Sequence, residues 1–248
     1  MLVTGAARGI GESISRLLSA QGANVVCADL DLEACDRLAT DLQSAIAVRL
    51  DVSSEAGWHD AIVRTQARFG ALDGLVNNAG IYKTLPIEDT SASLFTRMFE
   101  VNQLGVFLGM KSAVSVMKST GGSIVNVSST SGLRGNENSM AYGATKWAVR
   151  GMSKVAAIEL AKYQIRVNSI HPGLIETPMT SDAYGRKRLL AQAAKTPFGR
   201  AAQPREVASL IAFLLSDDAS FCSGGEYACD GALSAGVARP SPHVTLDG

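Results

Sequence analysis

Tyr142 and Lys146 are four residues apart, and in a helix residues at positions i and i+4 lie on the same face. A nearby ammonium favours a phenolate over a phenol, so it lowers the pKa of a tyrosine from its usual value of about 10. Such a tyrosine can exchange a proton with an alcohol or carbonyl oxygen near neutral pH. Most pairs with this spacing are ordinary helix surface, so the prediction of an acid/base site depends on the rest of the chain.

A glycine-rich segment near the start of the chain predicts a dinucleotide site. It reads Thr4-Gly5-Ala6-Ala7-Arg8-Gly9-Ile10-Gly11 and lies between a short apolar run and a helical pattern. In that context glycines allow a tight turn and close approach of the backbone to a pyrophosphate. The start of the following helix offers free N–H groups to the phosphates.

Asp29, at the end of the second apolar run, predicts NAD as the cofactor. Its carboxylate can accept hydrogen bonds from the ribose hydroxyls and would repel a 2′-phosphate. Residue 30 is a leucine and offers no positive charge. Arg8 can contact a 2′-phosphate or can simply face solvent, so NADP is the less favoured alternative.

The elements that position these residues alternate between short apolar runs and longer helical patterns, for example over 14–21 and 58–69. Continuous Val/Ile-rich runs are typical of parallel strands that are covered on both faces. The alternation predicts an α/β fold, a doubly wound parallel sheet of seven strands with helices on both faces. The predicted strands are 2–3, 24–28, 45–50, 74–77, 123–127, 166–170 and 226–229.

Two segments depart from this alternation. Residues 103–118 carry apolar side chains around about half of the helix, which is wider than the stripe of roughly 100° that one sheet needs. This width predicts a homotetramer or homodimer, with a wholly buried helix as the alternative. Residues 174–200 contain Pro178, Pro197 and the basic run Arg186-Lys187-Arg188. They predict an irregular lid over a ligand, with the basic run facing solvent.

The composition argues against several other classes of function. Lysine plus arginine and aspartate plus glutamate are balanced at 23 each, so no strong field favours nucleic acid or an anionic membrane. The four cysteines have no CxxC spacing, and no His/Cys cluster predicts a metal site. Neither a signal peptide nor a bilayer-spanning apolar run is found. We expect a soluble, cytoplasmic protein with one domain over residues 1–248 and a polar tail over about 239–248.

The chain resembles the short-chain dehydrogenase/reductase family, and the resemblance covers essentially every residue. The glycine segment matches that family's Thr-Gly-x-x-x-Gly-x-Gly, and the other motifs come in the family's order. Within the family the chain is similar to the bacterial 3α,20β-hydroxysteroid and cyclic alcohol dehydrogenases. The matching motifs are Asp51-Val52, Asn77-Asn78-Ala79-Gly80, Asn102, Ser128-Ser129, Tyr142-x-x-x-Lys146, Asn168, Pro172-Gly173 and Asp230-Gly231.

The resemblance implies a Rossmann fold and a role for each matching position. Tyr142 is the general acid/base, and Lys146 lowers its pKa and binds the nicotinamide ribose. Ser129 stabilises charge on the substrate oxygen, and Asn102 holds a water that relays protons from Lys146. Asp51 and Val52 meet the adenine, while Ile175 and Thr177 face the carboxamide. The full implied cofactor set is Gly5, Arg8, Gly9, Ile10, Gly11, Asp29, Asp51, Val52, Asn78, Ala79, Gly80, Tyr142, Lys146, Pro172, Gly173, Ile175 and Thr177.

Several polar residues near these motifs have a structural alternative. Asn102 can instead satisfy backbone groups at a helix irregularity. Ser128 is expected to point away from the site, because side chains alternate along a strand. Asn77 is expected to be structural, and His171 is expected to pack in a turn before Pro172-Gly173.

These residues predict reversible hydride transfer between NAD and a secondary alcohol or its ketone, without a metal. The predicted substrate is hydrophobic or cyclic, such as a hydroxysteroid. The alternatives are a 3-oxoacyl-carrier-protein-type or sugar-alcohol reductase of the same family, and a protein that senses a dinucleotide without catalysis. Because the cofactor motif begins at Thr4, the first strand is expected to pair weakly and either to fray near Met1 or to be truncated in this numbering.

Overall fold

The computed structural model describes residues 1–236, and the predicted tail over about 239–248 lies outside the described residues. Seven parallel strands form one sheet, which confirms the predicted fold class. The strands are β1 (Leu2–Thr4), β2 (Val25–Asp29), β3 (Ala45–Arg49), β4 (Gly74–Asn77), β5 (Gly122–Val127), β6 (Ile165–Pro172) and β7 (Glu226–Cys229). Their order across the sheet is β3-β2-β1-β4-β5-β6-β7.

Eight α-helices cover the two faces of this sheet. They are α1 (Gly9–Ala20), α2 (Leu32–Asp41), α3 (Glu55–Phe69), α4 (Ala92–Phe99), α5 (Gly105–Met117), α6 (Met140–Leu160), α7 (Pro178–Ala193) and α8 (Pro204–Leu215). One apolar core lies between the sheet and α3, α5 and α6. A second core lies on the opposite face, under α1, α2 and α8. The strands are thus buried on both sides, which explains their continuous apolar sequences.

The chain reverses its direction of winding between β1 and β4. Starting from β1, successive strands are added first toward β3 and then, after the crossover to β4, toward β7. In open α/β sheets the carboxyl ends of the strands on either side of such a reversal leave a crevice, in which ligands bind. The residues that follow β1, β4, β5 and β6 are therefore the ones placed around the crevice.

The first strand is short but not frayed, which corrects the expectation from its length. Leu2, Val3 and Thr4 are buried and pair with β2 at three positions, and Leu2 and Val3 also pair with β4. The amino group of Met1 donates to the Asn24 carbonyl at 2.8 Å, and the Met1 carbonyl accepts from Val26 N–H at 2.8 Å. Neighbours on both sides therefore hold the strand through its first residue.

The segment 174–200 is largely helical, which corrects the prediction of an irregular insertion. Pro178 is the first residue of α7, where a missing N–H is not needed, and the hydroxyls of Thr177 and Thr180 form a capping box. Gly185, with φ of 68° and ψ of 154°, bends the helix in its middle. Pro178 therefore starts a helix in the segment that was predicted to be irregular.

Candidate active site

The four predicted catalytic residues converge at the carboxyl edge of the sheet. Tyr142 and Lys146 lie in the first turns of α6, and Ser129 follows β5 directly. Asn102 lies in a turn of π-helix, Glu100–Leu104, that joins α4 to α5. A Cβ atom added to Gly80 would lie 3.2 Å from Asn102 Oδ1 and 3.7 Å from Lys146 Nζ, so a glycine leaves room for both side chains.

Lys146 is only 4% exposed and is held by the main chain of β5. Its Nζ donates to the Val127 carbonyl at 2.9 Å and lies 5.6 Å from the centre of the Tyr142 ring. Burial disfavours the ammonium and lowers the pKa of Lys146 to about 8. The lysine is therefore fixed in place, and it titrates much closer to neutrality than a lysine in water does.

The pKa of Tyr142 is raised to about 12 in the protein chain, which contradicts the expectation that Lys146 lowers it. Burial of the phenol disfavours the phenolate, and this effect outweighs the neighbouring Ser129 hydroxyl, which favours it. Lys146 donates to the Val127 carbonyl, and its Nζ lies 5.6 Å from the ring centre. The chain alone thus keeps Tyr142 as a phenol, the form that donates a proton.

Ser129 lies beside Tyr142 in an extended conformation that starts a short turn, Thr130–Gly132. Its Oγ accepts from Ser131 N–H at 3.1 Å, and its hydroxyl lies close enough to Tyr142 to lower the pKa of the phenol. Ser128 Oγ instead donates to the Lys146 carbonyl at 2.9 Å and is buried. Of the two serines, Ser129 is thus the one that reaches the tyrosine, as its position thirteen residues before Tyr142 had suggested.

Asn102 is fully buried, and its amide satisfies both backbone groups of one residue. Its Oδ1 accepts from Ile81 N–H at 2.8 Å, and its Nδ2 donates to the Ile81 carbonyl at 2.9 Å. This is the structural alternative considered from the sequence, and the π-turn is the helix irregularity it required. The bonds fix the loop after β4, and a proton relay through Asn102 remains a prediction.

The glycine segment forms a cradle that suits a pyrophosphate. Gly5 and Gly9 have φ of 66° and 62°, which side chains with a Cβ rarely adopt, and a Cβ on Gly11 would collide with the Gly5 carbonyl. No side chain caps the start of α1 at Arg8, so the N–H groups of its first turn stay available to an anion. The loop therefore fits the phosphates of a dinucleotide, and the exposed side chain of Arg8 points outward from it.

Asp29 lies next to this cradle at the end of β2. Its Oδ2 accepts from Ala7 N–H at 3.2 Å and its Oδ1 from Asp31 N–H at 3.1 Å. A carboxylate has about four acceptor sites, so capacity remains for ribose hydroxyls. Leu30, beside it, is 53% exposed. The position fits the predicted role of Asp29 in holding the adenosine ribose.

The other predicted cofactor residues lie around the same crevice, and they differ in which of their groups are left available to a ligand. Hydrogen bonds from Ser53 lower the pKa of Asp51, so its carboxylate stays ionised, and Val52 is buried. A Cβ on Gly9 would lie 3.4 Å from Thr177, so the start of α7 faces the cradle. The Ile175 side chain is buried in the core, which leaves only its main chain for a carboxamide. Pro172 ends β6, and Gly173 packs tightly against Asp230.

Thr4 joins the two central strands and was not predicted as a functional residue. Its Oγ1 donates to the Val76 carbonyl at 3.2 Å and accepts from the N–H groups of Asn78 and Ala79, both at 3.0 Å. Asn78 Nδ2 donates back to the Thr4 carbonyl at 2.9 Å. The glycine segment and the loop after β4 are therefore locked together. Thr4 belongs to the glycine motif, but the spacing of the motif gave no sign of this link.

A pair of tyrosines that the sequence analysis missed lies next to Tyr142. The hydroxyls of Tyr82 and Tyr184 are 2.6 Å apart, and the Tyr82 ring meets the Tyr142 ring edge-on with centres 4.8 Å apart. Tyr82 follows β4, whereas Tyr184 is in α7 immediately before the bend at Gly185. The pair thus connects α7 to the catalytic tyrosine. Its members are 102 positions apart, so no local pattern could have revealed it.

Neither a metal site nor a membrane-spanning helix is found within residues 1–236. No group of three or more His, Cys, Asp or Glu side chains in that range is placed to hold a metal ion. None of the helices in the same range has the length and apolarity needed to cross a membrane.

Comparison with known proteins gives a consistent set of matches. A family model described as enoyl-(acyl carrier protein) reductase matches residues 5–234. A trans-4-hydroxycyclohexanecarboxylate dehydrogenase of Sinomonas cyclohexanicum is 45% identical, over 95% of this chain and 92% of its own. A 3-alpha-(or 20-beta)-hydroxysteroid dehydrogenase of Mycobacterium bovis is 44% identical, over 96% of this chain and 90% of its own. A crystal structure of levodione reductase is 35% identical, with a TM-score of 0.89 over 94% of this chain and 96% of that one.

Proposed function

The chain belongs to the short-chain dehydrogenase/reductase family and is an oxidoreductase acting on CH–OH groups, and from this premise we propose that it transfers hydride between NAD and a hydrophobic, cyclic secondary alcohol or its ketone. The observation that carries the proposal is the placement of Ser129 beside Tyr142 at the carboxyl edge of the sheet, where the serine hydroxyl lowers the pKa of the phenol. Lys146 lies beside this pair, and the glycine cradle lies at the same edge.

In this proposal the chain's own residues handle the proton and the substrate oxygen. A bound nicotinamide supplies the carbon that accepts or donates hydride. Ser129 and Tyr142 hydrogen-bond the substrate oxygen, and Tyr142 gives it a proton in reduction or removes one in oxidation. Because burial raises the pKa of Tyr142 to about 12, the chain by itself favours the donating form. Lys146 holds the nicotinamide ribose, and Asn102 holds the water through which protons leave.

The preference for NAD rests on Asp29. The carboxylate is fixed by two main-chain N–H groups beside the glycine cradle, where a 2′-phosphate would bring a second negative charge. Arg8, the positive charge considered for a 2′-phosphate, is exposed. Measuring turnover with NAD and NADP in the wild type and in Asp29→Ala tests this point. The proposal expects NAD to be preferred by the wild type and the preference to weaken in the variant.

The proposed substrate class follows from the side chains around the crevice. Leu133, Leu174, Met140 and Met179 are apolar and at least partly exposed there. The two relatives described above are named for a hydroxylated cyclohexane and for steroids. An alicyclic alcohol is the substrate class that these features support in common.

We also propose a homotetramer, or a homodimer, for the assembled protein. Large apolar side chains are exposed on α4, α5 and α6, among them Phe99, Phe107 at 47% and Ile158 at 80%. Burying such a surface against a second copy would stabilise an assembly.

Four free cysteines support a reducing, cytoplasmic location. Both helix layers pack on one sheet, which supports a single domain.

A substrate panel tests the proposed function. Cyclohexanols, hydroxysteroids, 3-hydroxyacyl thioesters and sugar alcohols are offered with NAD or NADP, and the reduced nicotinamide is followed by its absorbance. We expect the highest kcat/KM for a cyclic alcohol with NAD. A clear preference for thioesters or sugar alcohols would replace the substrate class. Tight dinucleotide binding without turnover of any alcohol or ketone would instead favour the sensing protein.

A further inference from the structure

His171 lies near the end of β6, fully buried, with a partner at each ring nitrogen. Nδ1 is 3.1 Å from the Ser129 carbonyl oxygen, and Nε2 is 3.1 Å from Ser169 Oγ. Side chains two residues apart on a strand point to the same face. Val167, two positions before Ser169, belongs to the core under α6, so this is the face that carries Tyr142 and Lys146. The ring is therefore not turn packing alone, since it connects β6 to the main chain of the catalytic serine.

The partners of the ring define which nitrogen carries hydrogen. A carbonyl oxygen only accepts, so Nδ1–H must donate to Ser129. Burial lowers the pKa of His171, so the ring is neutral and Nε2 carries no hydrogen. The Ser169 hydroxyl has one hydrogen, which lies within reach of both Nε2 and the Gly225 carbonyl at 3.3 Å. The charged groups that bear on the ring are Glu226 on β7 and Arg150 and Lys146 on α6. Glu226 forms an ion pair with Arg150 at 2.7 Å, so these two charges offset each other beside the ring.

The hydrogen bond from His171 Nδ1 holds the chain just beyond the last hydrogen bond between β5 and β6. The last hydrogen bond between β5 and β6 runs from Ser128 N–H to the Ile170 carbonyl, at 2.8 Å. Beyond it, the Ser129 carbonyl accepts from Gly132 N–H at 2.8 Å and from His171 Nδ1–H. Two donors use both lone pairs of this oxygen and fix the orientation of its peptide group. The Ser129 side chain projects from this peptide toward Tyr142.

We propose that His171 is a positioning residue, which holds the main chain of Ser129 so that the serine hydroxyl stays in hydrogen-bonding position beside Tyr142. The proposal rests on the function proposed above, in which Ser129 and Tyr142 bind the substrate oxygen. In this proposal the hydrogen bond that affects turnover is the one from Nδ1–H to the Ser129 carbonyl. The other nitrogen serves to keep the ring in the required tautomer.

Two substitutions separate the two nitrogens. The amide nitrogen of asparagine lies near the position of histidine Nδ1, whereas that of glutamine lies near Nε2. His171→Asn can therefore keep the donation to Ser129, and His171→Gln loses it. We expect kcat to fall by about 3- to 10-fold in His171→Gln, the effect of one lost buried hydrogen bond, and by less than about twofold in His171→Asn. NADH affinity, measured by fluorescence, should be unchanged in both variants.

The pH profile adds a readout that a purely structural role would not change. The Ser129 hydroxyl lowers the pKa of Tyr142, so a displaced serine no longer opposes the raising effect of burial. Alcohol oxidation needs Tyr142 without its proton, so the acidic limb of kcat/KM for oxidation should move to higher pH in His171→Gln and stay in place in His171→Asn. Ser169→Ala leaves the Nδ1 bond intact and should keep both kcat and the pH profile.

Each outcome of this set decides the proposal. Equal kcat in all variants, or equal losses in His171→Asn and His171→Gln, would overturn it. If His171→Gln does not fold, a tenfold loss of kcat in His171→Asn or Ser169→Ala overturns it, and near wild-type values in both support it. A wild type without turnover of any alcohol or ketone would count against the proposed function instead, so the two failures are distinguishable.

Discussion

The floor and the lid of the candidate site are built in different ways. The floor consists of residues at the carboxyl edge of the sheet whose polar atoms bond to main-chain groups, namely Thr4, Asn78, Asn102, Ser129 and Lys146. The lid, residues 174–200, carries mostly exposed side chains. Its α7 is fixed at Thr177 and Thr180, bends at Gly185 and touches the floor through Tyr184 and Tyr82.

This difference matches what each region has to do in the proposed reaction. Charge stabilisation needs donors that are in place before the reaction, and buried bonds to a rigid sheet supply them. Substrate entry and release need a segment that opens at a small cost in free energy, and such segments have few buried contacts. We therefore expect substitutions in the floor to affect folding and turnover, and substitutions in the lid to affect opening.

The largest effect is expected from Gly11→Ala in the floor. The added Cβ would collide with the main-chain carbonyl of Gly5, and neither backbone segment can move without disturbing the cradle. We expect a loss of about 2 kcal/mol or more in the free energy of unfolding, together with loss of NADH binding. Gly151→Ala is the matched control, because open space surrounds that exposed glycine in α6, and it should be neutral or stabilising by up to about 1 kcal/mol. Equal stability of the two variants would show that the cradle is not tightly packed.

A smaller, pH-dependent effect is expected from Lys146→Met. The pKa of Lys146 is lowered to about 8 from 10.5, so between these pH values the folded protein binds fewer protons than the unfolded chain. Unfolding then takes up protons, and the wild type gains stability as the pH rises through this window. The gain, relative to the variant, should be roughly 2 kcal/mol between pH 8 and pH 10.

Urea unfolding at several pH values measures this difference. Lys187→Met, on the exposed lid, is the control for the loss of one lysine. A pH-independent difference between the wild type and Lys146→Met would mean that the floor does not bury the ammonium.

The smallest effect is expected in the lid, from Tyr184→Phe. The change removes one partner of the 2.6 Å bond to Tyr82 and keeps the ring. One such hydrogen bond contributes about 0.5–1.5 kcal/mol, so its loss should shift the lid toward the open state by about 3- to 10-fold. Trypsin cleavage at Arg186, Lys187 and Arg188, which follow the bend directly, should accelerate by that factor.

Two comparisons sharpen the lid experiment. Tyr82→Phe should accelerate cleavage equally, and the double variant should add little, because all three lack the same bond. Global stability in urea should stay near the wild-type value. Cleavage at the wild-type rate in both single variants would mean that the tyrosine pair does not hold the lid.

The contrast between floor and lid also describes what the sequence could reveal. Strands with apolar residues on both faces and the spacing from Gly5 to Gly11 are local patterns, and they predicted the sheet and the cradle. The bonds of Thr4, His171 and the Tyr82–Tyr184 pair join residues far apart in the chain, so local patterns do not encode them. The pKa of Tyr142 was expected with the wrong sign, because the spacing to Lys146 says nothing about burial. The helix α7 was not predicted because Pro178 and Pro197 were taken to indicate an irregular segment, whereas Pro178 is the first residue of the helix.

The most direct test of the central claim compares Tyr142→Phe with Tyr163→Phe. Tyr163 follows the far end of α6, and a helix of 21 residues places it roughly 30 Å away from Tyr142. Reduction of a cyclic ketone by NADH is measured together with NADH binding. The account predicts that Tyr142→Phe lowers kcat by about 10²- to 10⁴-fold while NADH affinity stays nearly unchanged, and that Tyr163→Phe behaves like the wild type. A Tyr142→Phe variant that keeps most of the wild-type turnover would contradict it.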